Sequence, residues 1–253
     1  MKPLIFISND DGYQAAGINF LIDTLRPIAD LIVVAPDCGR SGASTSITPA
    51  LPLRYHLVRQ EEGLTVYSCT GSPTDCVKLG LECLLPADRK PDLVIGGINH
   101  GDNSSVNAHY SGTMGVVHEG AMQGYPAVAF SLCDMRPDAD FTPLAPYLID
   151  ITLKAIAMGM PAFTCLNVNF PLCKRFEGVR ICRMAKARWV EEVAKREHPY
   201  GAPYCWLVGY RECCEPEAED TDDWALSHGY VAVTPTTLDN TAYALMEVLQ
   251  GAF

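Results

Sequence analysis

The amino-acid sequence predicts an α/β protein in which helices cover both faces of a mostly parallel sheet. Three observations support this prediction. Short apolar runs recur along the first 170 residues, segments with a helical pattern separate them, and polar loops follow the runs. Runs that are apolar on successive residues are typical of strands buried on both faces. The sequence therefore favours a three-layer α–β–α arrangement.

Strands and helices alternate along this first part of the chain. The predicted strands are 4–8, 31–35, 92–97, 127–132 and 163–170. The predicted helices are 17–29, 72–85, 113–124 and 144–158, and a hairpin is predicted from 53–58 and 64–68. Ser72 followed by Pro73 marks one helix start, because a serine cap and a first-turn proline are both favourable there.

The regularity weakens after residue 170, which divides the chain into a core, residues 1–170, and a C-terminal portion, residues 171–253. The C-terminal portion is either a separate unit or an integral part of one domain. Its predicted elements are strands in 178–185, 204–210 and 230–235, a solvated acidic loop over 211–224, and a terminal helix in 238–250. Trp206, Leu207 and Val208 lie outside the main pattern and indicate a subunit interface.

The composition limits the partners and the compartment. A net charge of −11 disfavours nucleic acids and anionic membranes, so an anionic substrate needs a local positive centre. No apolar run reaches the roughly 20 residues of a membrane span, and the N-terminal apolar stretch is too short for a signal peptide. The eleven cysteines include no Cys-x-x-Cys pair, so we expect reduced, mostly buried thiols. A cytoplasmic protein is expected.

The first predicted strand runs directly into Asn9-Asp10-Asp11-Gly12. Two adjacent carboxylates repel each other, and an unpaired buried carboxylate is costly. A divalent cation such as Mg²⁺ or Mn²⁺ accepts hard oxygen ligands and offsets the repulsion. The alternative is that Asp10 and Asp11 only cap a helix or form a turn.

Two other loops offer ligands to the same site, because the carboxyl ends of parallel strands form the usual binding edge of such a sheet. Ser41 offers a hydroxyl and Arg40 a partner for phosphate or carboxylate. Asn99 offers an amide oxygen to the cation, and the adjoining His100 is a further candidate. Ordinary glycine-rich turns without a ligand are the alternative.

Ser111-Gly112-Thr113 stands at a predicted helix start and could present N–H groups and hydroxyls to an anion. The alternative is a simple helix cap. Residues of the 72–85 segment are weaker candidates that more often cap or solvate a helix: Thr74, Asp75 and Lys78.

Seven segments follow one another along nearly the whole chain: "NDDGYQAAGI", "VVAPDCGRSGAS", "GSPTDCVKLGL", "PDLVIGGINHGDN", "YSGTMGVVHEGAMQGYPAVAFS", "NVNFP" and "TDDWALSHGYVAVTP". In this order they resemble the SurE family of stationary-phase survival proteins. The resemblance implies a Rossmann-like core with a smaller C-terminal portion that builds dimers, often tetramers, by exchanging segments.

The resemblance also implies a nucleoside monophosphate phosphatase that depends on one divalent cation per subunit, Mg²⁺ or Mn²⁺. The implied metal ligands are Asp10, Asp11, Ser41 and Asn99, and the implied phosphate-side residues are Asn9, Ser111, Gly112 and Thr113. The sequence departs from the family pattern at Ala16, Gly39 and Gly96. None of these removes an implied ligand, but Gly39 and Gly96 bear on loop rigidity and substrate choice.

The expected reaction is hydrolysis of nucleoside 5′-monophosphates, with 3′-monophosphates and short polyphosphate as further candidate substrates. Asp10 and Asp11 are the expected catalytic residues. The nucleophile is either a water activated by the cation or an aspartate carboxylate. We favour water, because carboxylates committed to metal are poorer nucleophiles. A non-catalytic nucleotide or nucleotide-sugar sensor and an interaction protein acting through the C-terminal segment are the alternatives.

Overall fold

A computed structural model describes residues 2–252 and confirms the predicted α/β class. The strands are β1 (Leu4–Ser8), β2 (Asp30–Pro36), β3 (Tyr55–Glu61), β4 (Leu64–Cys69), β5 (Leu93–His100), β6 (Ala127–Leu132), β7 (Thr164–Phe170), β8 (Gly178–Ile181), β9 (Ala187–Val190), β10 (Val193–Glu197), β11 (Pro203–Leu207), β12 (Tyr210–Cys213) and β13 (Tyr230–Thr237). The helices are α1 (Ala16–Leu25), α2 (Pro73–Leu79), α3 (Gly112–Met122), α4 (Ala145–Met158), α5 (Asp222–Ser227) and α6 (Tyr243–Gln250).

The main sheet has nine strands in the order β3-β4-β2-β1-β5-β6-β7-β13-β8. Its central strands β4, β2, β1, β5, β6 and β7 are parallel, whereas β3 runs antiparallel to β4 and β13 antiparallel to β7. The chain moves outward from β1 to β2 and β4 and then returns to β5 on the other side of β1. The topological switch point therefore lies between β1 and β5, where α/β sheets bind their ligands.

Side chains of the central strands alternate between two apolar layers. Ile5 and Ile7 pack in the layer that contains residues of α1 and α4, and Leu4 and Phe6 pack in the layer that contains residues of α2 and α3. Successive strand side chains point to opposite faces, so a strand that is apolar at every position needs a helix layer on each side. This is the three-layer core that the sequence predicts.

Several boundaries differ from the predicted ones for local reasons. Helix α1 ends at Leu25, because Pro27 cannot continue a helix. Helix α2 ends at Leu79 and is followed by a π-helical turn over Gly80–Leu84. Strand β5 continues to His100, so Asn99 belongs to a strand that still pairs with β6 and not to a loop.

The C-terminal portion contributes two strands to the main sheet, since β13 pairs with both β7 and β8. Outside the sheet, β10 pairs with β11 and β9 with β12. The boundary at residue 170 stays a prediction. The predicted solvated loop over 211–224 is wrong in part, because β12 and α5 occupy much of it and Asp222 is fully buried.

All eleven cysteines are free, but only Cys69, Cys76, Cys165 and Cys182 are buried, so the prediction of mostly buried thiols is wrong. Cys38, Cys83, Cys205 and Cys214 are exposed. None of the helices within residues 2–252 combines the length and the apolar composition that a membrane span requires.

Candidate active site

A cleft of about 660 Å³ opens at the carboxyl edge of the sheet, beside the switch point. Its lining brings together four residues that the sequence predicts for one site: Asp10, Ser41, Asn99 and Ser111. They come from the loops after β1 and β2, from the end of β5 and from the residue before α3. The convergence that the sequence only suggests is therefore present in the structure.

Asp10 is 3% exposed and joins β1 to the start of α3. One carboxylate oxygen accepts a hydrogen bond from the Thr113 hydroxyl at 2.5 Å, and the other accepts the Gly112 N–H at 3.2 Å. The carboxylate thus occupies the N-terminal end of a helix, where negative charge is favourable. These contacts of Asp10 agree with helix capping, which is the alternative to a metal site for the paired aspartates. The helix concerned is α3, however, and not α1, which follows Asp10 in the sequence.

Burial raises the pKa of Asp10 from 3.8 to about 6. The hydrogen bond from Thr113 lowers the pKa, and the nearby negative charge of Asp11 raises it. Desolvation and the second carboxylate together oppose ionisation more than the hydrogen bonds favour it. A cation close to both carboxylates would reverse this balance.

Asp11 joins the same loop to the end of β5. Its Oδ2 accepts the backbone N–H of His100 at 3.2 Å and lies 3.5 Å from the His100 Nδ1 atom. The His100 ring packs edge-on against Phe141, with ring centroids 5.0 Å apart. His100 therefore lies at the site, as its place beside Asn99 indicates.

The side-chain amide of Asn99 is oriented by its own turn. Its Nδ2 donates to the carbonyl oxygen of Gly101 at 2.7 Å, which leaves the amide oxygen free to serve as a ligand. Asn99 is nearly buried and lines the cleft.

A backbone contact holds Ser41 near Asp10. The Arg40 N–H donates to the Asp10 carbonyl oxygen at 2.6 Å, so the following residue, Ser41, reaches the cleft. The Arg40 guanidinium donates to the carbonyl oxygen of Thr70 at 3.0 Å and does not line the cleft.

Asn9 and Gly12 shape the turn that carries the aspartates. The Asn9 side chain accepts the Gly12 N–H at 3.2 Å and donates to the Gly12 carbonyl oxygen at 3.0 Å. Gly12 has φ +99°, a conformation that favours glycine. Asn9 thus orders the turn, and its predicted contact with phosphate stays a prediction.

The start of α3 provides the remaining predicted phosphate-side residues. The Ser111 hydroxyl caps α3 by accepting the Met114 N–H at 3.0 Å. Ser111 is therefore a helix cap, which is the alternative that the sequence also allows. Gly112 and Thr113 both donate to Asp10. A Cβ on Gly112 would lie 2.7 Å from the Cβ of Asp10, so only glycine allows this close approach.

The oxygen atoms gathered here suit a hard divalent cation. Carboxylate, hydroxyl and amide oxygens are the ligands of Mg²⁺ and Mn²⁺. No group of three or more His, Cys, Asp or Glu side chains in residues 2–252 is arranged to hold a metal. The candidate set includes only two such side chains, Asp10 and Asp11, so any cation here also depends on Ser41, Asn99 or solvent.

Three weaker sequence candidates have structural roles elsewhere. Asp75 forms a capping box with Ser72 at the start of α2. Lys78 pairs with Glu119 of α3 at 2.8 Å. Thr74 is buried between α2 and α3, outside the cleft.

His100 and Asn103, which the sequence places in the same segment as Asn99, also line the cleft. Part of the cleft has no counterpart in the sequence-based site. Its further lining residues are Gly42, Asn107, Tyr110, Met135, Trp189, Glu192, Leu207, Val208 and Gly209. The C-terminal portion supplies five of these: Trp189, Glu192, Leu207, Val208 and Gly209. No local pattern around Trp189 distinguishes it from an ordinary strand residue, so sequence reasoning had no signal for it.

The fold and the cleft together define a Rossmann-like α/β protein with an oxygen-rich site at the switch point of its sheet. A family model described as survival protein SurE matches residues 5–191. The chain belongs to the SurE family.

Similar proteins cover almost the whole chain. The 5′-nucleotidase SurE of Phocaeicola vulgatus is 55% identical over 250 residues, which are 99% of this chain and 96% of that protein. The 5′-nucleotidase SurE of Bacteroides thetaiotaomicron is 52% identical with the same coverage. The crystal structure of the SurE protein from Aquifex aeolicus is similar with a TM-score of 0.84 and 37% identity, and the match covers 99% of each chain.

Proposed function

We propose that this protein is a divalent-metal-dependent phosphomonoesterase that hydrolyses nucleoside 5′-monophosphates to nucleoside and phosphate. The names of its close relatives support a nucleotidase activity. The observation that carries the proposal is the convergence of Asp10, Ser41, Asn99 and Ser111 in one cleft at the switch point.

The charge of the cleft supports the need for a cation. Among the described residues that line it, Asp10 and Glu192 are acidic and none is Lys or Arg. A phosphate dianion would meet negative charge in such a cleft, and the net charge of −11 adds to the repulsion. Asp10, Asp11, Ser41 and Asn99 would hold one divalent cation per subunit, Mg²⁺ or Mn²⁺, which would supply charge neutralisation and the activation of water for attack.

The protein's own groups position the reactants. Asp10 and Asp11 are anchored by hydrogen bonds from α3 and β5, so their carboxylates are preorganised. Ser111 is at the N-terminal end of α3 and faces the cleft, where the helix dipole favours an anion. Phosphoryl transfer depends mainly on such positioning and electrostatic stabilisation.

The direct test is an activity matrix on purified protein. After dialysis against EDTA, the protein is assayed for phosphate release with Mg²⁺, Mn²⁺, Ca²⁺ or no metal against 5′-AMP, 3′-AMP and tripolyphosphate. We expect release from 5′-AMP with Mg²⁺ or Mn²⁺ and none without metal. Metal-independent release would contradict the metal site, and tight AMP binding without release would indicate a sensor. The assays with 3′-AMP and tripolyphosphate decide whether 3′-monophosphates and polyphosphate are also substrates.

We also propose that the chain assembles into homodimers or homotetramers through its C-terminal portion. Large apolar side chains are exposed on the β10–β11 hairpin and on α6: Val193, Tyr204, Trp206, Leu207, Tyr243, Leu245, Met246, Val248 and Leu249. Helix α6 buries none of its residues, although a helix of this length is marginal in water without packing. Exposed apolar surface of this extent is typical of an interface. A cytoplasmic location is proposed as well, supported by eleven unpaired cysteines.

A further inference from the structure

The cleft also has an apolar part with a different chemical character. It is formed by aromatic and aliphatic side chains that are half-buried or exposed, namely Tyr110, Met135, Trp189, Leu207 and Val208. These side chains come from other segments of the chain than the carboxylates of Asp10 and Asp11. Ligand clefts commonly combine an apolar wall with a few polar groups that fix orientation.

Hydrogen bonds hold Trp189 in place in this wall. The indole Nε1–H donates to the side-chain oxygen of Asn107 at 3.0 Å. The Asn107 amide nitrogen in turn donates to Asp102 Oδ2 at 3.3 Å. Both Asn107 and Asp102 belong to the segment between β5 and α3. Trp189 is therefore hydrogen-bonded to the same segment that connects the two site residues Asn99 and Ser111.

Arg211 completes this support. It stands opposite Trp189 in the β9–β12 pair, and its guanidinium donates to Asp102 Oδ2 at 2.5 Å and to Asp223 Oδ1 at 2.6 Å. The guanidinium is largely buried between these two carboxylates. The indole N–H of Trp189 is hydrogen-bonded, and its neighbours Asn107 and Arg211 are both held by Asp102. The ring therefore keeps one orientation, which reduces the entropy lost when a flat ligand stacks on it.

We propose that Trp189 binds the base of the nucleotide and so determines how strongly the enzyme prefers nucleotides over other phosphate monoesters. This inference rests on the proposed function, because it assumes a phosphate held beside Asp10 in the same cleft. Every nucleobase has a flat π face, so stacking on an aromatic side chain tolerates different bases. Trp189 and its apolar neighbours thus recognise a base as a class rather than one particular base.

The test separates base binding from phosphate binding by using two ligands that differ only in the base. AMP and ribose 5-phosphate are titrated calorimetrically into the full-length protein with Mn²⁺, and kcat/KM is measured for both. The variants are Trp189→Ala, Trp189→Phe, Trp189→Leu and Trp224→Ala. Trp224 is the matched control, because it is half-buried like Trp189, belongs to the same C-terminal portion and does not line the cleft.

We expect Trp189→Ala and Trp189→Leu to weaken AMP binding and lower kcat/KM for AMP by roughly 5- to 150-fold, the usual cost of losing one stacked base. The loss should appear in KM more than in kcat, and ribose 5-phosphate should be unaffected. Trp189→Phe should keep most of the affinity, and Trp224→Ala should bind AMP as the wild type does. Thermal unfolding checks that each variant is folded, and Trp189→Leu retains apolar bulk where Trp189→Ala leaves a gap.

The possible failures are distinguishable. If the Trp189 variants lose AMP and ribose 5-phosphate equally, or lose neither, Trp189 does not bind the base, whatever the wild-type activity. If the wild type binds AMP but releases no phosphate while the Trp189 variants bind AMP selectively worse, the base site stands and the proposed enzymatic function is wrong.

Discussion

The carboxylate of Asp10 holds the start of α3 in place, but its burial beside a second carboxylate opposes its ionisation when no cation is present. Its carboxylate is buried and lies near a second carboxylate, and burial raises its pKa to about 6. The same carboxylate accepts hydrogen bonds from Gly112 and Thr113 that hold the start of α3 against β1. A residue of this kind is expected to serve function at the expense of stability.

Replacing Asp10 with Asn should separate these roles. We expect turnover in Mn²⁺ to fall by roughly 100-fold or more, the scale of losing a preorganised electrostatic group. The thermal midpoint should stay near that of the wild type or rise, because the repulsion with Asp11 is relieved. Phosphate release and thermal unfolding are measured beside Asp88→Asn, an exposed aspartate that should change neither. Unchanged turnover would exclude Asp10 as an essential ligand.

The raised pKa of Asp10 also predicts a pH dependence of stability after metal removal. The folded protein holds the Asp10 proton up to about pH 6, whereas the unfolded chain releases it near pH 4. The free energy of unfolding contributed by this group therefore falls as pH rises from about 4 to about 6 and stays lower above that. The rise of the Asp10 pKa from 3.8 to about 6 corresponds to a loss of roughly 3 kcal/mol in the free energy of unfolding across this pH range.

Denaturant unfolding of EDTA-treated wild type and Asp10→Asn between pH 4 and pH 8 measures this effect. The wild type should lose stability relative to the variant across the window, and added Mn²⁺ should recover it at neutral pH. A constant difference between the two proteins across the whole range would mean that Asp10 does not titrate as its burial indicates.

At the scale of the element, α3 is the helix whose N-terminal end forms part of the site. Gly112, its first residue, lies between Asp10 of the β1 loop and Pro73 of α2, where a Cβ would be 2.7 Å from Asp10 Cβ and 3.0 Å from Pro73 Cγ. The position of α3 relative to β1 and α2 thus depends on the absence of a side chain.

Gly112→Ala should move α3 away from Asp10. We expect a loss of stability of about 1–3 kcal/mol from overpacking and a larger KM for the activating metal. Gly39→Ala is the matched control in another loop of the site, because a Cβ there would meet only the Asp11 carbonyl oxygen, at an ordinary 3.8 Å. Metal titrations of activity and denaturant unfolding compare the two. Equal effects at both positions would show that the close approach of Gly112 does not matter.

At the scale of the whole molecule, the C-terminal portion has two distinct parts. One part is integrated: β13 extends the main sheet, and buried Asp222 accepts the backbone N–H groups of Ser105 and Ala185. The other part, the β10–β11 hairpin and α6, exposes its apolar side chains. Only the β10–β11 hairpin and α6 need a second subunit for their apolar side chains to be buried.

If α6 forms a subunit interface, charges on its apolar residues should weaken assembly. We expect Leu245→Glu combined with Val248→Glu to shift sedimentation toward the monomer, while the thermal stability of the core changes little. Met158→Glu, at an exposed apolar residue at the end of α4, is the control and should leave the subunit count unchanged. A wild-type protein that is monomeric at high concentration would contradict the proposed oligomer.

Local patterns in the sequence account for most of the core. The apolar runs predict β1, β2 and β6 almost to the residue, because burial on both faces requires an apolar side chain at every position. The boundary of β5 is predicted less well, since the pairing of Asn99 with Ser131 depends on a neighbouring strand that lies far along the chain. The burial of Asp222 is missed for the same reason: its partners lie in other segments.

The sequence by itself determined the residue types of the candidate site and the strand ends that carry them, because both are local properties of the chain. Only the tertiary structure decided which of these groups meet. The contact between Asp10 and Gly112 joins residues 102 positions apart, and the indole of Trp189 reaches Asn107 across 82 positions. Such contacts depend on strand order and on the packing of the C-terminal portion, which no short stretch of sequence encodes.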